Sequence, residues 1–168
     1  MFKMEVGEMT QKKLNEDEFM ELYFLFARAR YLSFRAREKE LQRYNLTPEQ
    51  AQVLLIANAL ENKGTPAEIS RNLVRQPHTI SALVNRMAKK GLVSKVKDLE
   101  RKNMVRVALT KKGEKALEIS AKGGPIRRIL GVLDEHERRE FHDYLERILV
   151  KSRDELGLDR DTLPTSDW

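Results

Sequence analysis

The sequence contains no cysteine among its 168 residues. This absence excludes disulfides, thiolate nucleophiles, thiol-based redox sensing and cysteine-rich zinc sites. The only histidines are His78, His136 and His142. His136 lies four residues before Glu140 and His142 precedes Asp143, but positions 136 and 142 do not share a helix face. We therefore predict no metal site and no cofactor.

Long apolar runs are also missing. The longest are short, such as residues 53–57, whereas a membrane helix needs roughly 20 apolar residues. The first residues lack the basic-then-apolar pattern of a secretion signal. No carboxylate pair, nucleophile–base set or phosphate-binding loop stands out. We therefore expect a cytoplasmic protein with no membrane partner, and we do not predict an enzyme.

The positive charge is concentrated in one segment. The whole chain has a net charge of +6. Residues 71–112 contain 12 basic and two acidic residues, a net charge of +10, and the remainder of the chain is therefore net −4. A surface that served only solubility would not be divided in this way, whereas a surface facing a polyanion would be. This segment is the candidate nucleic-acid interface, and a plain solvated face is the alternative.

The chain is predicted to be mostly α-helical with a small β-hairpin. Residues 1–14 are expected to form a flexible N-terminus and residues 153–168 a C-terminal tail. A long helix from about Asp17 has apolar residues on more than one face, which fits an intertwined dimer. Its aromatic residues are expected in the core rather than in an effector pocket, although core residues can line a crevice. They are Phe19, Tyr23, Phe24, Phe26, Tyr31 and Phe34.

Two successive segments have the same helix-start signal, at residues 47–50 and 65–68. In each, a threonine caps the helix, a proline occupies its first turn, and Gln50 or Glu68 completes a capping box. A third helix is predicted to open at residues 76–79 and to end at Gly91. These three helices include the start of the basic segment.

After Gly91 the spacing of the apolar residues changes from a helical period to an alternation. Val105 and Val107 alternate with Arg106 and Ala108, which predicts a two-stranded hairpin with a basic tip. Thr110 is then expected to cap a further helix. Residues 123–125, Gly-Gly-Pro, either end or kink that helix, and a plain break is favoured over a ligand-responsive hinge. The last helix is predicted to begin at residues 134–137.

The order of short helix, turn, helix and basic hairpin suits DNA, because the major groove of B-DNA is about 12 Å wide and admits one helix. In the helix predicted to open at residues 76–79, residues 80, 83, 84 and 87 form an apolar inner face, and the opposite face is polar. The start of that helix offers backbone N–H groups suited to phosphate. The candidate DNA-binding residues are Arg75, Gln76, Pro77, His78, Thr79, Ser81, Ala82, Asn85, Arg86, Lys97, Arg101, Lys102 and Asn103.

Three segments, 65–73, 79–93 and 98–110, together resemble the MarR family of bacterial and archaeal transcription regulators. The resemblance spans about residues 15–152. It implies a homodimer in which residues 15–44 and 111–152 are dimerisation helices and residues 47–110 form a winged helix-turn-helix. Such a dimer would bind a pseudo-palindromic operator in double-stranded DNA, with half-sites roughly 34–36 Å apart.

The same resemblance implies a repressor that loses DNA affinity when a small aromatic or anionic effector enters a crevice between the dimer and DNA-binding parts. The sequence departs from the family pattern at two places. The turn has Val74 and Arg75 where the family often has glycine and an apolar residue, and Arg75 is a candidate extra phosphate contact. The wing matches the family's Asp-x-x-Asp-Arg-Arg either from Asp98 or through residues 100–102, and both registers stay open.

One alternative function remains beside the regulator. A winged helix can also serve as an interaction module that binds protein or RNA without operator specificity. In that case the basic segment would be a nonspecific surface. A selection from random duplexes separates the two functions, because an operator-binding dimer enriches a motif with two-fold symmetry.

Overall fold

The computed structural model of the chain describes residues 2–97 and 104–158, with side chains from residue 18 onward. Seven helices and one antiparallel hairpin occupy these ranges, so the mostly α-helical class with a small hairpin is confirmed. The elements are α1 Phe2–Gln42, α2 Pro48–Ala59, α3 Pro66–Asn72, α4 Pro77–Lys89, β1 Val93–Lys97, β2 Val105–Leu109, α5 Lys111–Ala121, α6 Gly124–Leu130 and α7 Glu135–Glu155.

The predicted capping boxes form as expected. The Thr47 hydroxyl accepts from Gln50 N at 3.3 Å, and the Gln50 side chain accepts from Thr47 N at 3.1 Å. Thr65 and Glu68 repeat the arrangement at the start of α3. Each such cap contributes about 1 kcal/mol to helix stability. The starts of α2 and α3 are therefore fixed by local sequence.

Two boundaries differ from the sequence expectations. Helix α1 begins at Phe2 rather than near Asp17, since no proline lies before Pro48 to stop a helix that continues upstream. At residues 123–125 the chain breaks rather than kinks, because Gly123 adopts a left-handed φ of 54° and α6 starts as a separate helix. Helix α7 extends to Glu155, and residues 159–168 of the expected tail lie outside the described residues.

The hydrophobic core lies in the middle of the chain. Every buried hydrophobic residue that the structure describes falls between Leu41 and Ala116. The largest fully buried side chains come from α1, α2, α3, α4 and β2. Full burial of each contributes about 1.5–3 kcal/mol to the stability of the fold. They are Leu41, Val53, Leu54, Ile69, Val84, Met87 and Val107. Most of this core therefore lies within the predicted winged helix-turn-helix, residues 47–110.

The aromatic residues of α1 do not lie in this core. Phe19, Tyr23 and Phe24 are each more than half exposed, so the expectation that the first-helix aromatics fill the core is wrong for the single chain. The reason is that the described residues of the single chain leave this part of α1 largely uncovered. Separately, no described helix is both long and apolar enough to cross a membrane.

The turn between α3 and α4 contains an unusual backbone conformation. Val74 has a φ of 49°, in the left-handed region, and its side chain is half exposed. This region costs an L-residue roughly 1–2 kcal/mol, and a β-branched residue is especially disfavoured there. The chain keeps the left-handed turn that glycine would favour, although it has valine at this position.

Replacing this valine tests the strain. We expect Val74→Gly to raise the free energy of unfolding by about 0.5–1 kcal/mol, because relief of left-handed strain exceeds the greater unfolded-state freedom of glycine. Chemical denaturation followed by circular dichroism measures the change. Val96→Gly is the matched control, since Val96 is equally exposed but lies in strand β1. It should destabilise the protein, and destabilisation by both variants would contradict a strained turn.

Candidate nucleic-acid interface

Helix α4 has one buried and one exposed face. Ile80, Leu83, Val84 and Met87 are buried, as the sequence predicted. Successive residues are rotated by about 100° around a helix. His78, Ala82 and Asn85 therefore lie along the middle of the opposite face, and the structure leaves all three exposed. We call these three residues the outer stripe of α4.

The remaining candidates on the helix-turn-helix surround the outer stripe. Ser81 and Arg86 are exposed on its two sides, and Arg75 through Thr79 are exposed at the beginning of α4. Gln76 makes no side-chain cap, and its carbonyl oxygen accepts from Thr79 N at 3.0 Å and from Ile80 N at 3.2 Å. The backbone N–H of His78 is the first-turn donor that suits a phosphate. The structure thus brings the nine candidates between Arg75 and Arg86 onto one surface. Lys97 is exposed at the end of β1, and Arg101, Lys102 and Asn103 lie outside the described residues.

Two hydrogen bonds from strand β2 fix the hairpin to the helices. Strands β1 and β2 pair from Val93 with Leu109 to Lys97 with Val105. Val107 N donates to Gly64 O at 2.8 Å, and Leu109 N donates to the Asn62 side-chain oxygen at 2.8 Å. These bonds join β2 to the loop between α2 and α3, so the wing keeps a fixed position beside the helix-turn-helix.

The end of α4 is also fixed. The Thr110 hydroxyl donates to Gly91 O at 2.6 Å, and Lys112 Nζ donates to Lys90 O at 2.8 Å. Lysine near a helix C-terminus stabilises the exposed carbonyl groups there. Consequently α4, the hairpin and the start of α5 form one rigid unit, which is the condition for a side chain to read a base edge.

The charges on this surface are available to a polyanion. In residues 2–97 and 104–158, neither Arg75 nor Arg86 forms an ion pair with a carboxylate. Glu68, the acid in the α3 capping box, is engaged locally. Its hydrogen bond from the Thr65 backbone lowers its pKa from 4.5, against the raising effect of burial. Glu68 is therefore charged at neutral pH, but its charge serves the helix cap.

Sequence reasoning missed one residue of this surface. Lys95 Nζ donates to Asn85 Oδ1 at 2.9 Å, which connects strand β1 to the outer stripe. Lys95 was counted in the basic segment but not among the candidate DNA-binding residues. Residues two apart on a strand lie on the same face, so the candidate Lys97 points to Lys95 as well.

The histidines of α7 lie elsewhere. His136 Nδ1 approaches Glu140 at 3.4 Å, and His142 Nε2 approaches Glu146 at 3.6 Å. Both are exposed pairs at i, i+4 spacing, the geometry that stabilises a helix surface. His142, Asp143 and Glu146 are close enough to share an ion, but exposed clusters of this kind are common, and the absence of a metal site stays a prediction.

A family model described as a winged helix DNA-binding domain matches residues 46–113. This match covers most of the core and the whole outer stripe of α4. No curated protein matches the sequence significantly.

Solved structures extend the comparison beyond this domain. The organohalide-sensing transcriptional regulator RdhR, solved with 2,4-dichlorophenol, is 28% identical with a TM-score of 0.72, over 89% of this chain and 88% of that one. A MarR mutant from E. coli complexed with operator DNA is 20% identical with a TM-score of 0.72, over 79% and 96% of the two chains. The S. aureus MepR–DNA complex is 22% identical with a TM-score of 0.69, over 76% and 95%.

The two structures below 25% identity establish a shared fold, and the RdhR match extends it over nearly the whole length of both chains. Together with the domain match, they confirm the resemblance to the MarR family that the sequence predicted. The chain therefore contains a winged helix DNA-binding domain, matched at residues 46–113, and has the fold of the MarR-family transcription regulators.

Proposed function

We propose that the protein is a dimeric repressor that binds a pseudo-palindromic operator in double-stranded DNA and releases it when a small effector binds. The observation that carries this proposal is the outer stripe of α4, which lies opposite a fully buried face. Because its inner face is packed in the core, α4 can insert into the major groove as a rigid body. The MarR and MepR structures with DNA support this use of the fold. A regulator acts where the DNA is, so we propose the cytoplasm as its location.

The residues divide into two roles in this proposal. Ser81 and Asn85 offer polar groups to base edges, and the Ala82 methyl group suits the methyl group of thymine. The cations position the protein on phosphates: Arg75, Arg86, Lys97, Arg101 and Lys102. The side chains of Gln76, His78 and Thr79 serve either role, and Pro77 lies beside them in the first turn of α4. Asn103 remains a candidate contact from the sequence.

Binding to DNA makes a quantitative prediction about salt. Affinity for a selected duplex should fall steeply from about 50 to 200 mM salt, because phosphate contacts release counterions. Arg86→Ala should weaken binding to all sequences and reduce the slope of log K against log salt by about 1 per subunit. Fluorescence anisotropy measures both quantities.

The matched control is Arg139→Ala on α7, which removes an exposed arginine far along the chain and should leave the slope unchanged. Salt-insensitive binding, or no symmetric motif selected from random duplexes, would contradict the repressor. Enrichment of RNA, or no enrichment of any nucleic acid, would instead favour the alternative interaction module. The comparisons already favour a regulator over an enzyme.

The dimer is proposed because apolar side chains of α1 and α7 stay exposed in the single chain. A groove of about 1090 Å³ runs between α1 and α7. Leu22, Leu25 and Phe26 line it from α1, and Phe141 and Ile148 line it from α7. Arg153 is the one buried residue among those of α7, so this helix has almost no core of its own. Exposed apolar surface of this extent marks an interface, and a two-fold axis would cover both copies at once.

A buried charge tests the dimer. We expect Ile148→Lys to raise the dimer dissociation constant on the order of 100-fold, because an unpaired ammonium in an apolar interface costs several kcal/mol. Analytical ultracentrifugation measures the constant, and circular dichroism reports the helix content. Asp143→Lys, on the same helix but outside the groove, is the control and should remain dimeric. A wild-type protein that is monomeric at high concentration would exclude the proposed dimer.

The effector site is proposed at a second crevice, of about 320 Å³. This volume lies within the range of small-molecule pockets. Phe34 and Arg37 line it from α1, Gln52 and Leu55 from α2, and Leu117 from α5. Arg37 pairs with Glu40 and donates to Ser120 O, so the crevice contains a cation as well as apolar walls. A small aromatic or anionic compound fits both features, and RdhR has been solved with 2,4-dichlorophenol.

Filling the crevice tests this site. Calorimetry with benzoate and with 2,4-dichlorophenol should show binding to the wild-type protein, and the bound compound should weaken operator affinity. Gln52→Trp should abolish binding of the compound while DNA binding remains, because the indole occupies the crevice. Asn58→Trp, also exposed on α2 but outside the crevice, is the control. Unchanged binding in Gln52→Trp would place the effector elsewhere.

A further inference from the structure

One side-chain contact joins strand β1 to the outer stripe of α4. Lys95 Nζ lies 2.9 Å from Asn85 Oδ1. Asn85 belongs to the outer stripe, opposite the face on which Ile80, Leu83, Val84 and Met87 are buried. We propose that Lys95 determines specificity: by engaging Asn85 Oδ1, it makes Asn85 read guanine rather than adenine. This inference rests on the proposed operator binding.

The backbone holds the two residues in this arrangement. Gly91, with a φ of 70°, reverses the chain after α4, and Leu92 N donates to Met87 O at 3.0 Å. Val93 is buried at the start of β1, and Lys95 lies two residues later on the same strand face. Lys95 also pairs in register with Val107, which is fully buried. The lysine backbone is therefore positioned by the core, and its side chain extends towards α4.

The chemistry of the amide group explains the consequence. An asparagine side chain has one acceptor oxygen and one NH₂ group with two donors. Recognition of adenine uses both groups, because the oxygen accepts from N6 and the NH₂ group donates to N7. With Lys95 on the oxygen, the pair presents the NH₂ group and an ammonium group to the DNA. Both are donors.

Among the four bases, guanine fits this donor pair best. Its major-groove edge offers two acceptors, O6 and N7, whereas adenine places an N6 amino donor beside its single acceptor. An adenine at this position would bring its amino group against an ammonium and an amide NH₂. We therefore expect the wild-type protein to favour guanine over adenine about tenfold at one position of each half-site.

The test is a selection from random duplexes with the full chain, followed by affinities for duplexes that differ at single positions. Asn85→Ala first identifies the position, as the one where base preference is lost. Lys95→Met should then shift that position from guanine towards adenine about tenfold, because Asn85 Oδ1 is released. Lys97→Met is the matched control: it removes the same charge two residues along the same strand and should weaken all duplexes without changing the preference.

The outcomes separate this inference from the proposed function. A wild-type protein that selects no symmetric motif overturns operator binding and this inference with it. A symmetric motif whose preferences are the same in the wild-type protein and Lys95→Met overturns this inference alone. A wild-type preference for adenine at the position identified with Asn85→Ala also overturns it, as does a failure of Asn85→Ala to change any position.

Discussion

The burial of the inner face of α4 is the interaction on which the rest of the structure depends. Met87 and Val84 are fully buried, and Ile80 and Leu83 nearly so. These side chains pack in one cluster with Leu54 of α2, Ile69 of α3 and Val107 of β2. Because one face of α4 is fixed, the opposite face is fixed too, and polar side chains on it acquire defined positions. Without this packing, the basic segment would be a charged surface with no defined geometry.

The wing depends on the same core. Val107 fills the core from β2, and its backbone N–H donates to Gly64 O. The hairpin is short, and an isolated two-stranded hairpin is marginally stable in water. Its attachment to the core, together with the bond from Thr110 to the end of α4, fixes its position beside the outer stripe of α4. One apolar cluster therefore positions both the groove-reading helix and the strand beside it.

The outer helices follow a different principle. Helices α1 and α7 have apolar faces, but among the described side chains α1 contributes only Leu41 to the core and α7 contributes no hydrophobic residue. Their apolar surface accounts for the aromatic residues that sequence analysis expected in the core. The periodicity of α1 predicts apolar faces that need a neighbour, but a period cannot specify whether that neighbour belongs to the same chain. The proposed second copy supplies that neighbour.

Local patterns in the sequence determined the starts of α2, α3, α4, α5 and α7, the inner face of α4, the hairpin and the position of the basic segment. These features depend on residues within a few positions of each other, such as Thr65 with Glu68 or Ile80 with Leu83 and Val84, and short-range physical chemistry decides them. Only the tertiary structure decided the contacts between distant residues. Lys95 meets Asn85, and Leu109 meets Asn62, because the shared core brings α4, the loop after α2 and the hairpin together. No local pattern specifies which side chains then become neighbours.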